Sequence, residues 1–361
     1  MELAEIIKEK IVKEGPISFH DFMEMALYYP ELGYYTSAKD KIGRTGDYYT
    51  SASLTPVFGA LIGRQLEEMW HLLEKNKFTV VEYGAGTGSL CNDILNSLKS
   101  NPELYANLNY CIIEKSPSMR DKQKKLLNKK VSWFDSLQDI PEITGCILSN
   151  ELVDNFSVHR VQMEDELKEV FVDYKNGFVE LFKPAPAILK NYLTELKIEL
   201  SKGFRTEINL EATEWMKEIA LCLRKGYVMT IDYGYPSSEL YCEQRRNGTL
   251  TCYNKHRINN QPYIHIGEQD ITSHVNFSAL CLWGFKHGLE YCGFTDQRNF
   301  LSSLGFRDYL KKTEKPGDYY RNFKREISLT YTLLEDMGRK FKILIQRKET
   351  PQYRLSGLKW N

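Results

Sequence analysis

A mainly parallel α/β sheet is the fold this sequence predicts. Three observations predict it. Apolar, strand-like runs alternate with amphipathic helical stretches from Thr79 to a last run at Phe341–Gln346. The first run, Thr79–Tyr83, breaks into three alternating glycines, Gly84, Gly86 and Gly88, and a helical stretch follows with Leu90, Ile94, Leu95 and Leu98 on one face. Residues of functional type gather directly after the runs, at what becomes the carboxyl edge of an open parallel sheet, where ligands bind.

The elements can be justified in order. Leu3, Ile6, Ile7, Ile11 and Val12 recur at helical spacing, and Gly15-Pro16 stops that helix. Ser18 is placed to cap a second helix, Phe19–Leu27, and an aromatic, turn-rich stretch follows to Tyr35. A long helix, Pro56–Lys75, leads into the first strand. The second strand is Asn109–Glu114, followed by the helix Ser118–Leu127. The third is Val131–Phe134, the fourth Cys146–Ser149 and the fifth Tyr227–Asp232. Between the fourth and fifth, Val158–Met163, Glu169–Tyr174 and Phe178–Phe182 alternate as antiparallel strands, with a turn at Asn176-Gly177. A polar stretch, Pro236–Ser273, lacks periodicity, yet Tyr241, Tyr253 and Tyr263 argue against plain disorder. A helix Phe277–His287 and a strand Leu289–Gln297 precede the last strand, which makes seven in the main sheet. The sequence therefore divides into residues 1–75, a helical extension with a lid loop; 76–157, the glycine-turn half; 158–225, inserted strands and helices; and 226–361, the rest of the sheet with a long insertion at 236–276.

Composition narrows the function. The 48 basic residues balance the 48 acidic ones, so no global field draws the chain to nucleic acid or anionic lipid. No apolar stretch approaches membrane-spanning length, and the charged N-terminus reads as a helix rather than a signal peptide. The eight cysteines include no Cys-x-x-Cys pair. They read as reduced thiols of a cytoplasmic protein, with no disulfide framework and no metal site.

The glycine turn is where chemistry is expected. Glycine is needed where φ is positive or where backbone must touch a ligand. The spacing Gly84-x-Gly86-x-Gly88 is not the dinucleotide fingerprint, whose third glycine would fall at Ser89. An acid, Glu82, just before such a turn resembles the first motif of class I S-adenosylmethionine (SAM) methyltransferases, in which the loop wraps the methionine part of the cofactor. Glu114, at the end of the second strand, is suited to take both ribose hydroxyls of a nucleoside. Asp135, after the third strand, is a candidate for the adenine amino group. Asn150-Glu151-Leu152-Val153-Asp154-Asn155 puts two carboxylates and two amides after the fourth strand. Paired carboxylates suit a guanidinium acceptor, which they can bind in bidentate fashion and relieve of a proton as a new bond forms. Asn150 and Asp154 are equally explained as a capped helix start.

Several segments together resemble the MidA-like methyltransferase family, whose mitochondrial members assist assembly of respiratory complex I. They are Gly46-Asp47-Tyr48-Tyr49-Thr50-Ser51 with Phe58-Gly59, then Glu82–Gly88, then Asn150–Asp154 with Val158 and Arg160. The longest runs from Gly248-Thr249-Leu250 through Tyr253 and His256-Arg257 to Gly267–Phe277. The resemblance implies a class I methyltransferase, Rossmann-like fold with family insertions. It implies SAM as cofactor, held by Glu82, Gly84, Gly86, Gly88, Glu114, Asp135 and Asn150, with Thr50 and Ser51 from a lid. It implies arginine of a protein substrate as acceptor, with Asn150, Glu151 and Asp154 as catalytic residues. The sequence departs from the family at Ala52, Leu152-Val153 and Asn155-Phe156, beside the acceptor residues. A small molecule or another residue type as acceptor, and a SAM-binding assembly factor without turnover, therefore stay open. A nicotinamide-dependent oxidoreductase is disfavoured by the glycine spacing.

Overall fold

Val80, Val81, Cys111, Ile112, Ile147, Leu148, Val228 and Met229 are all buried, and each adjacent pair shares a strand. Strands this apolar on both faces form the middle of a parallel sheet covered on both sides. The computed structural model, which describes residues 2–37, 54–127, 129–313 and 317–359, places them in such a sheet. We label its strands β1 (Phe78–Tyr83), β2 (Leu108–Ile113), β3 (Val131–Phe134), β4 (Ile143–Asn150), β5 (Leu223–Tyr235), β6 (Glu290–Asp296) and β7 (Phe341–Lys348). Their order is β3-β2-β1-β4-β5-β7-β6. All neighbours run parallel except β7, which is antiparallel to both β5 and β6. A two-residue strand, Val275–Asn276, also pairs with the end of β5. The sequence reading of a mainly parallel, seven-stranded α/β sheet is what forms.

The chain divides into two compact units. The sheet unit comprises the described residues of Tyr49–Leu152, Met216–Tyr233 and Gly284–Asn361. The helix Pro56–Leu72 belongs to it, capped by the Thr55 hydroxyl and stopping short of the expected Lys75. Glu74 and Lys75 both take positive φ, 64° and 56°, which a helix cannot continue through. Phe58, Leu61, Ile62, Leu66, Met69 and Trp70 from this helix are fully or almost fully buried in the sheet unit's core with Leu90, Ile94 and Leu98 of the helix Ser89–Leu98.

The second unit comprises the described residues of Met1–Tyr48, Val153–Trp215 and Gly234–Trp283. Its antiparallel sheet joins His159–Met163, Leu167–Tyr174, Phe178–Pro184 and Arg205–Ile208 to Ile17–Ser18. Asn176, at φ 55°, makes the expected turn with Gly177. Helices Leu3–Glu14 and Phe19–Tyr28 bury Leu3, Ile7, Ile11, Phe19, Phe22 and Met23 with Val170 and Val172. The stretch read as aperiodic is ordered by a three-stranded sheet, Arg257–Asn259, Thr251–Asn254 and Asp270–Thr272. Among the described residues no helix is long and apolar enough to cross a membrane.

The middle of the sheet depends on two glycines. Gly145 in β4 pairs with Thr79 in β1 and with Gly226 in β5. A Cβ built on Gly145 would overlap the Thr79 carbonyl oxygen, and one on Gly226 would overlap that of Gly145. Both contacts are with backbone, which cannot swing aside. Gly145→Ala is therefore expected to destabilise the protein by about 2–3 kcal/mol, as overpacking of a fixed interior does. A thermal melt of that variant matching wild type would show that the strands separate more easily than this geometry allows.

Candidate active site

The order of the strands reverses between β1 and β4, so their carboxyl ends flank a crevice. The glycine turn leaves β1 there. The Gly84 N–H still donates to the Ile113 carbonyl at 2.8 Å, and the chain then turns away. Gly84, Gly86 and Gly88 all have positive φ, at 73°, 53° and 83°. A Cβ on Gly84 would lie 2.7 Å from Leu152 Cδ1, so side chains are excluded there by space as well as by conformation. Gly88 is the N-cap of the helix Ser89–Leu98 and has no side chain to satisfy its first N–H groups. A helix N-terminus without a side-chain cap suits a polar ligand.

Glu114 follows β2 and is half-buried. Its Oε1 accepts the Ser116 N–H at 2.9 Å, and its Oε2 accepts the Gln123 amide at 3.0 Å. Burial pushes its carboxyl above the usual glutamate range, and these donors pull it back. Arg120 ties the ends of β2 and β3 together. It donates to the carbonyls of Glu114 (2.7 Å) and Phe134 (3.2 Å) and to Asp135 Oδ1 (2.8 Å). The Asp135 side chain is 86% exposed, so its ion pair with Arg120 is well screened.

Asn150 ends β4. Its amide donates to Glu151 Oε1 at 3.2 Å, and its Oδ1 is buried with no partner among the described residues. A buried acceptor of this kind needs a donor, from a ligand or from an ordered water. Glu151 takes φ 53°, a strained conformation for a residue with a Cβ, and its N–H donates to the Ile231 carbonyl at 2.9 Å. The sequence reading missed Asp232, three residues before the end of β5, whose side chain is fully buried. Its Oδ2 accepts the Leu152 N–H at 3.2 Å and its Oδ1 the Tyr233 N–H at 2.9 Å, which pins the turn after Glu151. It also missed Gln123. An acid as the last strand residue and a lone amide on a buried helix face were the available signals.

The structure thus gathers Glu82, Gly84, Gly86, Gly88, Glu114, Asp135, Asn150 and Glu151 on the sheet unit, at or next to the ends of β1–β4. Asp154 belongs to the second unit, where it is buried in a short turn of helix, Val153–Asn155. Thr50 and Ser51, and the whole Gly46–Ser53 segment, lie outside the described residues. Of the Gly267–His274 segment, Gln269, Asp270, Thr272 and Ser273 are buried within the second unit. Among the described residues no group of three or more His, Cys, Asp or Glu is placed to hold a metal ion.

Glu82 differs from the other acids. Its carboxylate is buried beside β2, where it accepts the Tyr110 hydroxyl at 2.7 Å. Desolvation pushes its pKa up to about 7, with the Tyr110 hydrogen bond opposing the shift. An acid whose folded pKa lies above its unfolded one contributes stability that is full below the usual glutamate range and is lost as pH rises through about 7. Wild type should therefore lose roughly 3 kcal/mol relative to Glu82→Gln between pH 4.5 and pH 8, since each pKa unit is about 1.4 kcal/mol. Denaturant titrations at several pH values check this; parallel pH profiles for the two proteins would refute it.

A turn of positive-φ glycines, a carboxylate with donors on both oxygens and a leftover buried amide oxygen fit a nucleoside cofactor with a polar amino-acid tail. Comparison with known proteins gives the same answer. A family model described as S-adenosyl-L-methionine-dependent methyltransferase matches residues 61–295. A structure from Burkholderia thailandensis, bound to S-adenosyl-homocysteine, superposes with a TM-score of 0.89 at 29% identity, covering 98% of this chain and 94% of that one. The Caenorhabditis elegans protein named protein arginine methyltransferase NDUFAF7 homolog, mitochondrial, is 27% identical over 94% of this chain and 85% of its own length. The Bos taurus protein arginine methyltransferase NDUFAF7, mitochondrial, is 26% identical over 96% and 83%. The class I fold read from the glycine turn is confirmed, and this chain belongs to that family of S-adenosyl-L-methionine-dependent methyltransferases, with S-adenosyl-L-methionine as its cofactor.

Proposed function

We propose that the chain methylates an arginine side chain of a protein substrate, with Glu151 as the carboxylate that receives the guanidinium. The observation that carries this reading is Glu151 itself. It stands directly after β4 in a conformation that costs energy, with its backbone held by β5. Strain of this kind is kept where a side chain must be aimed. The names of the relatives, at 25–27% identity, support arginine as the acceptor.

The cofactor supplies an electrophilic methyl on a sulfonium, and the enzyme must align a nucleophile behind it and exclude water. A guanidinium is always protonated in solution and needs an anion to orient it and to favour proton loss as the bond forms. Glu151 fills that role here. Asn150, which donates to Glu151 Oε1, helps fix the carboxylate. Asp154 is kept as the second carboxylate on its sequence position alone. On the cofactor side we assign Gly84, Gly86 and Gly88 to the methionine part and Glu114 to the ribose. Glu82 supports the loop from beneath, and Asp135 serves the adenine. Thr50 and Ser51 enter from the sequence resemblance only. A cytoplasmic site of action is the companion reading, supported by eight cysteines that are all free thiols.

Two variants test this together. Gly86→Val places a branched side chain where φ is positive and should abolish SAM binding by calorimetry with the fold retained. Glu151→Gln should leave SAM affinity within about twofold while methyl transfer falls about a hundredfold or more, the range for loss of an acid–base group. Transfer is read by labelling a cell extract with tritiated SAM and mapping the labelled residue. Wild-type transfer by Glu151→Gln, or a label on lysine or on a small molecule, would overturn the arginine reading. Binding without any label would identify a SAM-binding factor.

A further inference from the structure

Gln123 is the one uncharged residue in the run Lys122–Lys125, and the helix that carries it, Pro117–Leu126, buries only Met119 and Gln123. The side chain is fully buried. An amide in that position must be satisfied at both ends, and it is. Its Oε1 accepts the Trp133 indole N–H at 2.9 Å, and its Nε2 donates to the Gly86 carbonyl at 2.8 Å and to Glu114 Oε2 at 3.0 Å. An indole nitrogen can only donate. Trp133 therefore decides which end of the amide is oxygen and turns the NH2 toward the glycine turn and Glu114. The stem packs under the turn as well, since a Cβ on Gly88 would lie 3.3 Å from Gln123 Cγ.

We propose that Gln123 is the positioning residue for recognition of the cofactor's ribose. It fixes Glu114 in orientation through one hydrogen bond and the glycine turn through the other, with Trp133 as the reference that keeps the amide from flipping. The inference rests on Glu114 taking the ribose hydroxyls, as read above. Ser116 N–H, Gln123 and the Gly86 backbone N–H then use three of the four acceptor sites of the Glu114 carboxylate, and the remaining one is available to a ribose hydroxyl. Gln123 makes no contact with the cofactor in this scheme. It acts on ribose preference through Glu114, so that part of its effect should vanish when Glu114 can no longer discriminate.

The experiment is a calorimetric double-mutant cycle with S-adenosylhomocysteine and its 2′-deoxy analogue as probes. Wild type should prefer the ribose form. Gln123→Met should weaken S-adenosylhomocysteine about tenfold or more, as loss of a hydrogen bond to a charged group does, and should erase most of that preference. In the Glu114→Gln background the same change should leave the ratio of the two affinities almost unaltered. Trp133→Phe removes the orienting donor while leaving Gln123 in place and should reproduce a smaller loss of preference; it serves if Gln123→Met does not fold. Equal weakening of both probes, or full additivity with Glu114→Gln, would overturn the positioning role while leaving Glu114 on the ribose. Unchanged affinity and preference in Glu114→Gln alone would overturn the ribose reading and this inference with it.

Discussion

The site depends on one constraint: β1 is hydrogen-bonded to β2 on one side and to β4 on the other, and its chain must then leave the sheet. A central strand cannot turn gradually, because each neighbour occupies the space beside it. Three glycines within five residues make the turn, and Leu152, arriving from β4, closes over the first of them. The turn in turn fixes where the helix Ser89–Leu98 begins, and so where its first N–H groups lie. Cofactor recognition is thus set by backbone first and by side chains second.

Two acids near that turn show how local surroundings divide labour between like groups. Glu82 lies in the apolar layer with a single tyrosine hydroxyl to lean on, and it resists ionisation. Glu114 sits at the edge with donors on both oxygens and an arginine behind its own carbonyl. The first can steady the sheet, whereas only the second is suited to accept from a ligand. Another buried acid, Asp232, accepts a backbone N–H on each oxygen and so acts as a clamp for the turn that carries Glu151.

Much of this was legible in the residues. The central strands were legible because a strand buried on both faces must be continuously apolar, and the glycine turn announced its own position. Helix ends were less legible: Pro56–Leu72 stops at residues, Glu74 and Lys75, whose types give no warning of positive φ. Gln123 was hidden because a glutamine among lysines looks like solvated surface. Only its spacing of four from Met119 marks the buried side of that helix. Asp232 was hidden for the opposite reason, since a strand-end acid looks like a ligand-binding group and here serves the backbone. The relation of Glu151 to Asp154 was read as one cluster because they are close in sequence. They belong to different compact units, with the division between Leu152 and Val153.

The place of β7 in the sheet has a consequence for how the protein is made. It lies between β5 and β6, yet it is the last strand in the chain. During synthesis β6 emerges with no partner in this sheet, and β5 keeps one edge bare until Phe341–Lys348 has left the ribosome. A bare edge of apolar strand is a template for pairing with other chains. The β5–β7 pairing also spans the longest sequence separation in this sheet, which slows its closure. The nascent chain is therefore most exposed to misassembly late, after the segments of the second unit, which end at Trp283, are already complete.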